Sequence, residues 1–203
     1  VCSSDLGYLV AKIGNRGTGS RGKAFETAGY QALGGVDILD QANGVRFLSE
    51  RPYIDRERVG IFGHSYGGYM SALGVLKHPD VFHVAVAGAP VTDWKQYDTI
   101  YTERYMRTPE ENPDGYKNGS CLTYADQLQG KLLLVHGLID DNVHPSNTWE
   151  LAKKLQDEKK RFDLMIYPGF KHGIGSTYND LRWEYFHKHL QPRVSQPNPS
   201  DGP

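Results

Sequence analysis

Short, continuously apolar runs alternate along the chain with longer stretches in which apolar residues recur every three or four positions. Residues 7–14 form the first apolar run and predict a buried strand, leading into the glycine-punctuated loop of residues 15–22. Residues 35–50 place Val36, Leu39 and Ala42 at helical spacing, Pro52 marks the exit, and residues 58–63 predict a second short strand. A helix over 66–76 and a strand over 81–88 follow. Residues 132–136 are apolar up to a terminal histidine, and the lack of polar alternation predicts a strand buried on both faces. Ser146 is placed to cap a helix whose Leu151, Ala152 and Leu155 share a face; a strand over 162–167 and a helix over 180–190 complete the series. This order predicts an α/β fold, a mostly parallel sheet with helices on both faces. Residues 91–130 interrupt it with an aromatic, proline-containing stretch of no clear period, where such folds grow a binding feature. No internal repeat is visible.

With 203 residues, 38% of them hydrophobic and 11% aromatic, the chain has the apolar surface for one core, and wholesale disorder is excluded. Lys and Arg number 23 against 24 Asp and Glu, so no global field draws it to nucleic acid or anionic lipid. No apolar run approaches the roughly 20 residues needed to cross a bilayer. Cys2 and Cys121 are the two cysteines, which excludes a disulfide framework, and neither lies in a metal-ligand or redox spacing. Residues 1–6, Val-Cys-Ser-Ser-Asp-Leu, read as the translation of a sequencing-adapter end and are expected to be a non-native leader. Residues 191–203 hold four of the 11 prolines and are expected to be a flexible tail, leaving 7–190 as the folded unit.

The strongest chemical signal is Gly63-His64-Ser65-Tyr66-Gly67-Gly68, which follows a predicted strand and opens a predicted helix. A tight strand-to-helix turn of this kind lifts the Ser65 hydroxyl above the sheet and aims the Tyr66 N–H at a developing oxyanion. A serine is a poor nucleophile until a base takes its proton and a carboxylate orients that base. Asp140 and Asp141 lie in the loop after the strand at 132–136, and His172 lies in the loop after the next strand, so the chain order is Ser, acid, His. Either aspartate fits the acid position by spacing alone. His136 reads as a buried hydrogen-bonding residue, and His78, His83, His187 and His189 as surface or core-edge residues. A metal site of His136, Asp140 and His144 is disfavoured, because a strand-to-loop segment would not converge them and no second cluster supplies the remaining ligands. The loop at 15–22 lacks the Gly-Lys-Ser/Thr ending of a phosphate cradle and reads as a structural turn. No cofactor is implied.

Together with the segment 91–106, which reads Val-Thr-Asp-Trp-Lys-Gln-Tyr-Asp-Thr-Ile-Tyr-Thr-Glu-Arg-Tyr-Met, and the segment 136–144, which reads His-Gly-Leu-Ile-Asp-Asp-Asn-Val-His, these residues resemble the prolyl oligopeptidase family of serine peptidases in its dipeptidyl peptidase IV branch. The likeness covers most of residues 7–190 and implies an α/β-hydrolase fold lacking its first strands. It implies a Ser65, Asp140, His172 triad working through an acyl-enzyme that water resolves, with Asp141 structural. The implied reaction is release of N-terminal dipeptides with Pro or Ala in second position. Trp94, Tyr97 and Tyr101 fall at spacings of three and four, so on a helix they form one aromatic stripe, read either as core packing or as a pocket wall. Aromatic faces with Val91 and Val143 suit the flat, apolar proline ring. The resemblance adds Tyr66 to that pocket and gives Asn142 a hydrogen bond to a substrate carbonyl. Tyr rather than Asn after the nucleophile points away from the endopeptidase branch.

By the same resemblance, a second oxyanion donor and the acidic pair that grips the substrate amine belong to segments upstream, the latter on a β-propeller, and a homodimer forms through the last strand and helix. The rival readings are an acylaminoacyl peptidase, another aminopeptidase or esterase of the same fold, and a non-catalytic binding protein on a hydrolase scaffold. The sequon Asn118-Gly119-Ser120 bears only on a secretory eukaryotic setting. No compartment is assigned by the sequence; a bacterial periplasmic or other extracytoplasmic one is the working expectation.

Overall fold

The structure, a computed structural model, describes residues 2–3 and 7–191. Its elements in chain order are β1 (Cys2–Ser3), β2 (Leu9–Val10), α1 (Lys23–Glu26), α2 (Val36–Leu48), β3 (Gly60–His64), α3 (Tyr66–Lys77) and β4 (Val84–Gly88). The stretch without clear period holds a 3₁₀ turn (Trp94–Gln96), α4 (Thr99–Met106), α5 (Pro113–Gly119) and a second 3₁₀ segment (Cys121–Gln127). Then come β5 (Lys131–Gly137), α6 (Ser146–Asp157), β6 (Asp163–Tyr167) and α7 (Thr177–His189). No helix among the described residues is long and apolar enough to cross a membrane.

Four strands form one parallel sheet in the order β3-β4-β5-β6, with Gly88 of β4 opposite His64 of β3 and Val135 of β5. Side chains alternate across a strand, so each central strand feeds two cores. Ala85, Ala87, Leu132 and Leu134 pack on one face with Ile38 of α2, Leu73 and Leu76 of α3, and Leu151 and Leu155 of α6. Val84, Val86, Leu133 and Val135 pack on the other with Tyr178, Tyr185 and Phe186 of α7. This double burial is why residues 132–136 read as a continuous apolar run, and it places helices on both faces as the alternation predicts. The parallel arrangement brings the ends of β3, β5 and β6 to one edge, where their loops carry Ser65, Asp140 and His172.

Three local expectations are corrected. The run 7–14 is not a buried strand of the main sheet: only Leu9 and Val10 are extended, they pair antiparallel with β1, and Leu9 is 45% exposed. Its apolarity serves contacts outside the sheet, such as Tyr8 against Trp183. Ser146 does not cap α6; Pro145 holds the cap position, and the Ser146 hydroxyl meets Nδ1 of His144 at 2.9 Å. The strand expected over 81–88 begins at Val84, while Val81 and Phe82 enter the core ahead of it. The loop at 15–22 is fastened to α2 by Arg16, whose guanidinium holds the Asp40 carboxylate at 2.6 and 2.9 Å. Of the expected leader, Val1 and residues 4–6 lie outside the described residues, as do residues 192–203 of the expected tail.

Candidate active site

Ser65 alone joins β3 to α3, with φ 59° and ψ −120°. A non-glycine residue in that region carries on the order of 1–3 kcal/mol of strain, which its surroundings must hold in place. Here the Ser65 N–H donates to the Gly88 carbonyl at 2.8 Å, and the Ser65 carbonyl accepts from the Tyr69 N–H at 2.9 Å. Of the three glycines around Ser65, Gly63 and Gly68 are demanded by close approach, while a Cβ on Gly67 would meet nothing within 4 Å. A Cβ on Gly63 would lie 2.5 Å from the Gly67 carbonyl, and one on Gly68 would collide with the Gly88 oxygen. Tyr178 of α7 ties down the turn from the other face, its hydroxyl donating to the Gly63 carbonyl at 2.9 Å. Tyr66 is the first residue of α3, so its N–H is among those with no intrahelical acceptor.

Asp140 sits in the loop after β5, its side chain fully buried. Its Oδ1 accepts from the N–H groups of Asn142 at 2.9 Å and Val143 at 3.0 Å, and its Oδ2 lies 2.8 Å from Nδ1 of His172 and 3.3 Å from Nε2 of His136. A carboxylate only accepts, so this bond puts the His172 proton on Nδ1 and leaves Nε2 with the lone pair. His136 is fully buried, its Nε2 facing the Val143 carbonyl at 2.8 Å and its Nδ1 the Thr148 hydroxyl at 2.7 Å. With only acceptors before Nε2, the neutral tautomer protonated there fits, and Thr148 donates to Nδ1. Asp141 turns outward, its carboxylate 2.6 Å from Nζ of the exposed Lys171 and held below the usual carboxylate range by that contact. The geometry therefore brings Asp140, and not Asp141, to His172. Of the residues weighed as metal ligands, His136 and Asp140 meet each other while His144 faces Ser146, and no group among the described residues is arranged to hold a metal ion.

The hydrogen bonds among the described residues link His172 to Asp140 but include none from the Ser65 hydroxyl to His172. The ring of His172 reaches the elbow through His64, the residue before Ser65, with centroids 4.8 Å apart. Burial first, and the neighbouring His172 second, hold the His64 pKa below the ordinary histidine value; burial does the same to His136 and, at the periphery, to His78 and His189. A histidine kept neutral by the fold stabilises it fully above the unfolded-chain value near 6.5 and loses that contribution as pH falls through the lower folded value. The thermal midpoint of the folded chain is thus expected to fall as pH drops below about 6.5. His64→Gln should flatten that fall, and a midpoint level down to about pH 5 in the unaltered chain would contradict this account.

The expected aromatic stripe is not carried on one helix. Trp94 lies in the 3₁₀ turn and Tyr101 in α4, and the break between them is made by Asp98, whose carboxylate accepts the Tyr101 N–H and caps α4. The rings still meet: Trp94 stacks on Tyr101 at 5.9 Å, and Tyr97 meets Tyr101 edge-on at 5.4 Å. Tyr66 joins at 5.8 Å from Trp94. Val91, Trp94 and Val143 are buried in the larger core, while Tyr66, Tyr97 and Tyr101 are half-buried and form the accessible part of the cluster. The stripe is thus core packing in part, with the rest left accessible. Asn142 is exposed and its Oδ1 accepts from the Tyr97 hydroxyl at 2.8 Å, which joins the aromatic cluster to the Asp140 loop.

Residues 1–191 match the model of the prolyl oligopeptidase family. The chain belongs to the prolyl oligopeptidase family. Human dipeptidyl peptidase 8 is 42% identical over 201 residues, 95% of this chain and 22% of the relative. The probable dipeptidyl-aminopeptidase B of Aspergillus oryzae is 42% identical over 85% of this chain and 19% of its own. Among solved structures, dipeptidyl peptidase 4 of Porphyromonas gingivalis superposes with a TM-score of 0.88 at 40% identity, over 92% of this chain and 27% of that one. A putative dipeptidyl aminopeptidase IV from Bacteroides ovatus gives 0.83 at 42%, over 87% and 26%. The chain thus spans about a fifth to a quarter of the length of these family members.

Within this family fold, three contributors to the site had no signal in the sequence. His64 has no role of its own in the elbow motif, yet its ring meets that of His172 at 4.8 Å and joins the elbow to the His172 loop. Thr148 donates to His136 Nδ1 across a twelve-residue gap, completing the tautomer that the Val143 carbonyl sets at Nε2. Asp37, one acidic residue in the first turn of α2, receives the Tyr66 hydroxyl.

Proposed function

We propose that this chain carries the catalytic machinery of a serine-type dipeptidyl peptidase that releases N-terminal dipeptides with Pro, or less efficiently Ala, in second position. The observation that carries this reading is the 2.8 Å contact of His172 Nδ1 with buried Asp140, on a loop whose imidazole lies against the elbow holding Ser65. Ser65 Oγ attacks the carbonyl carbon of the scissile bond while His172 Nε2 takes its proton, and the carbonyl oxygen gains the charge. The Tyr66 N–H is one donor to that oxyanion. When the C–N bond breaks, His172 returns the proton to the departing amine, leaving the dipeptide as an ester on Ser65. Water, deprotonated by the same nitrogen, then hydrolyses the ester. Asp140 keeps the proton on Nδ1 throughout and stabilises the imidazolium.

Tyr66, Tyr97 and Tyr101, backed by Val91, Trp94 and Val143, form the pocket for the proline ring, and Asn142 donates to a substrate carbonyl. The substrate amine is gripped outside this chain, as the family resemblance implies. The test is mass spectrometry of products from the longest native polypeptide that carries this chain, given one Xaa-Pro peptide with a free and with an acetylated N-terminus. Dipeptide release from the free form alone is expected. Cleavage of both forms, or of the acetylated one only, would move the assignment to an endopeptidase or acylaminoacyl peptidase.

A further inference from the structure

Asp37 is a buried carboxylate for which the proposed mechanism has no use. It is 3% exposed, and none of the salt bridges among the described residues involves it. Lys77 lies near enough to feel the Asp37 charge, but its ammonium bonds the Gly34 carbonyl at 2.9 Å and not the carboxylate. A buried charge with no cation in contact is costly unless donors surround it. Here three do: the Gly34 N–H at 3.0 Å and the Tyr66 hydroxyl at 2.5 Å on Oδ2, and the Ile38 N–H at 2.9 Å on Oδ1. Two of these belong to the first turn of α2 or its approach, where the helix dipole also favours an anion. They account for an acidic residue at a helix start. The third does not, because Tyr66 lies on another helix, 29 positions on, directly after Ser65.

We infer that Asp37 is a positioning residue that holds the Tyr66 ring in place as a wall of the proline-accepting pocket. Tyr66 is constrained at both ends. Its backbone forms the elbow, and its hydroxyl makes a short, charge-assisted bond of the kind roughly twice as strong as a neutral one. Between them the ring lies edge-on to Tyr69 at 5.5 Å and tilted against Trp94 at 5.8 Å. Without the carboxylate, the half-buried ring loses the only one of these contacts that is directional at its tip. A flat five-membered ring needs that aromatic face, whereas an alanine methyl touches little of it, so loss of the anchor penalises prolyl ligands more than alanyl ones.

This inference rests on the function proposed above, and its test separates the two. The native polypeptide carrying this chain is treated with prolyl and alanyl diphenyl phosphonates, which phosphonylate an active serine with loss of phenol and need no turnover. Second-order rates are compared for the unaltered protein, Asp37→Ala, Tyr66→Phe and the double variant. The prolyl-to-alanyl rate ratio is expected to fall about tenfold in either single variant, the loss of one hydrogen bond to a charged group. The double variant should fall no further. A ratio unchanged in Asp37→Ala, or a fall that repeats undiminished in the Tyr66→Phe background, overturns the role and leaves Asp37 a helix-capping residue. Equal prolyl and alanyl rates in the unaltered protein overturn instead the proline pocket on which the inference rests. Tyr66→Phe removes one hydroxyl only, so it decides the matter even where Asp37→Ala fails to fold.

Discussion

Ser65→Ala is expected to lower kcat on an Xaa-Pro substrate by about a millionfold in the native polypeptide, the loss found when a nucleophile that acts as one unit with its base is removed. KM should stay within a factor of a few, because the hydroxyl is used in the transition state and the pocket residues are untouched. Stability should barely move. Alanine keeps a Cβ at φ 59°, so it keeps the strain that Gly88 and Tyr69 hold in place. Ser65→Gly makes the contrast: it loses activity equally but relieves the strain, raising stability by about 1 kcal/mol. Steady-state kinetics with thermal unfolding of both variants checks the pair. Undiminished hydrolysis by Ser65→Ala would remove Ser65 from the chemistry and with it the proposed function.

What could be read from the sequence follows how local the physics is. The elbow was legible because its signature is six consecutive residues, a strand end, a serine and glycines, even though the group that demands Gly68 and holds the Ser65 N–H is the Gly88 carbonyl of another strand. β5 was legible because burial on both faces erases polar alternation. Residues 7–14 misled for the converse reason, since apolarity alone does not say which partner it meets, and here the partner is Trp183, far along the chain. The aromatic trio was grouped correctly but on the wrong scaffold. Spacing of three and four suits a helix, yet the 3₁₀ turn closes at Tyr97 and Asp98 caps a new helix while the rings still converge. Ser146 had the composition of a cap and the wrong phase by one residue. Asp37 and His64 were beyond sequence patterns, because each acts on a residue of another element and no periodicity links them.

Asp140 and Asp141 show how fully a single position can decide a role, and the second large effect lies there. Asp140→Asn is expected to lower kcat by about ten-thousandfold, and Asp141→Asn by no more than a factor of a few. The asparagine amide oxygen would keep the bonds from the Asn142 and Val143 N–H groups, which turns its NH₂ toward the rings of His172 and His136. A donor facing His172 Nδ1 forces the other tautomer. Nε2 then carries the proton and has no lone pair to take one from Ser65. The His136 Nε2–H also loses an acceptor, though it keeps the Val143 carbonyl, so destabilisation of about 1–3 kcal/mol accompanies the kinetic loss. Because the defect is one of tautomer, activity of Asp140→Asn should recover as pH rises and hydroxide replaces the missing base. Asp141 offers no such lever: its partner is an exposed lysine, and solvent screens what the pair contributes. A kcat–pH profile for the two variants side by side reads the difference. Equal, small losses would mean that Asp140 holds the loop and does not orient the base; a large loss in Asp141→Asn would place the acid one residue on.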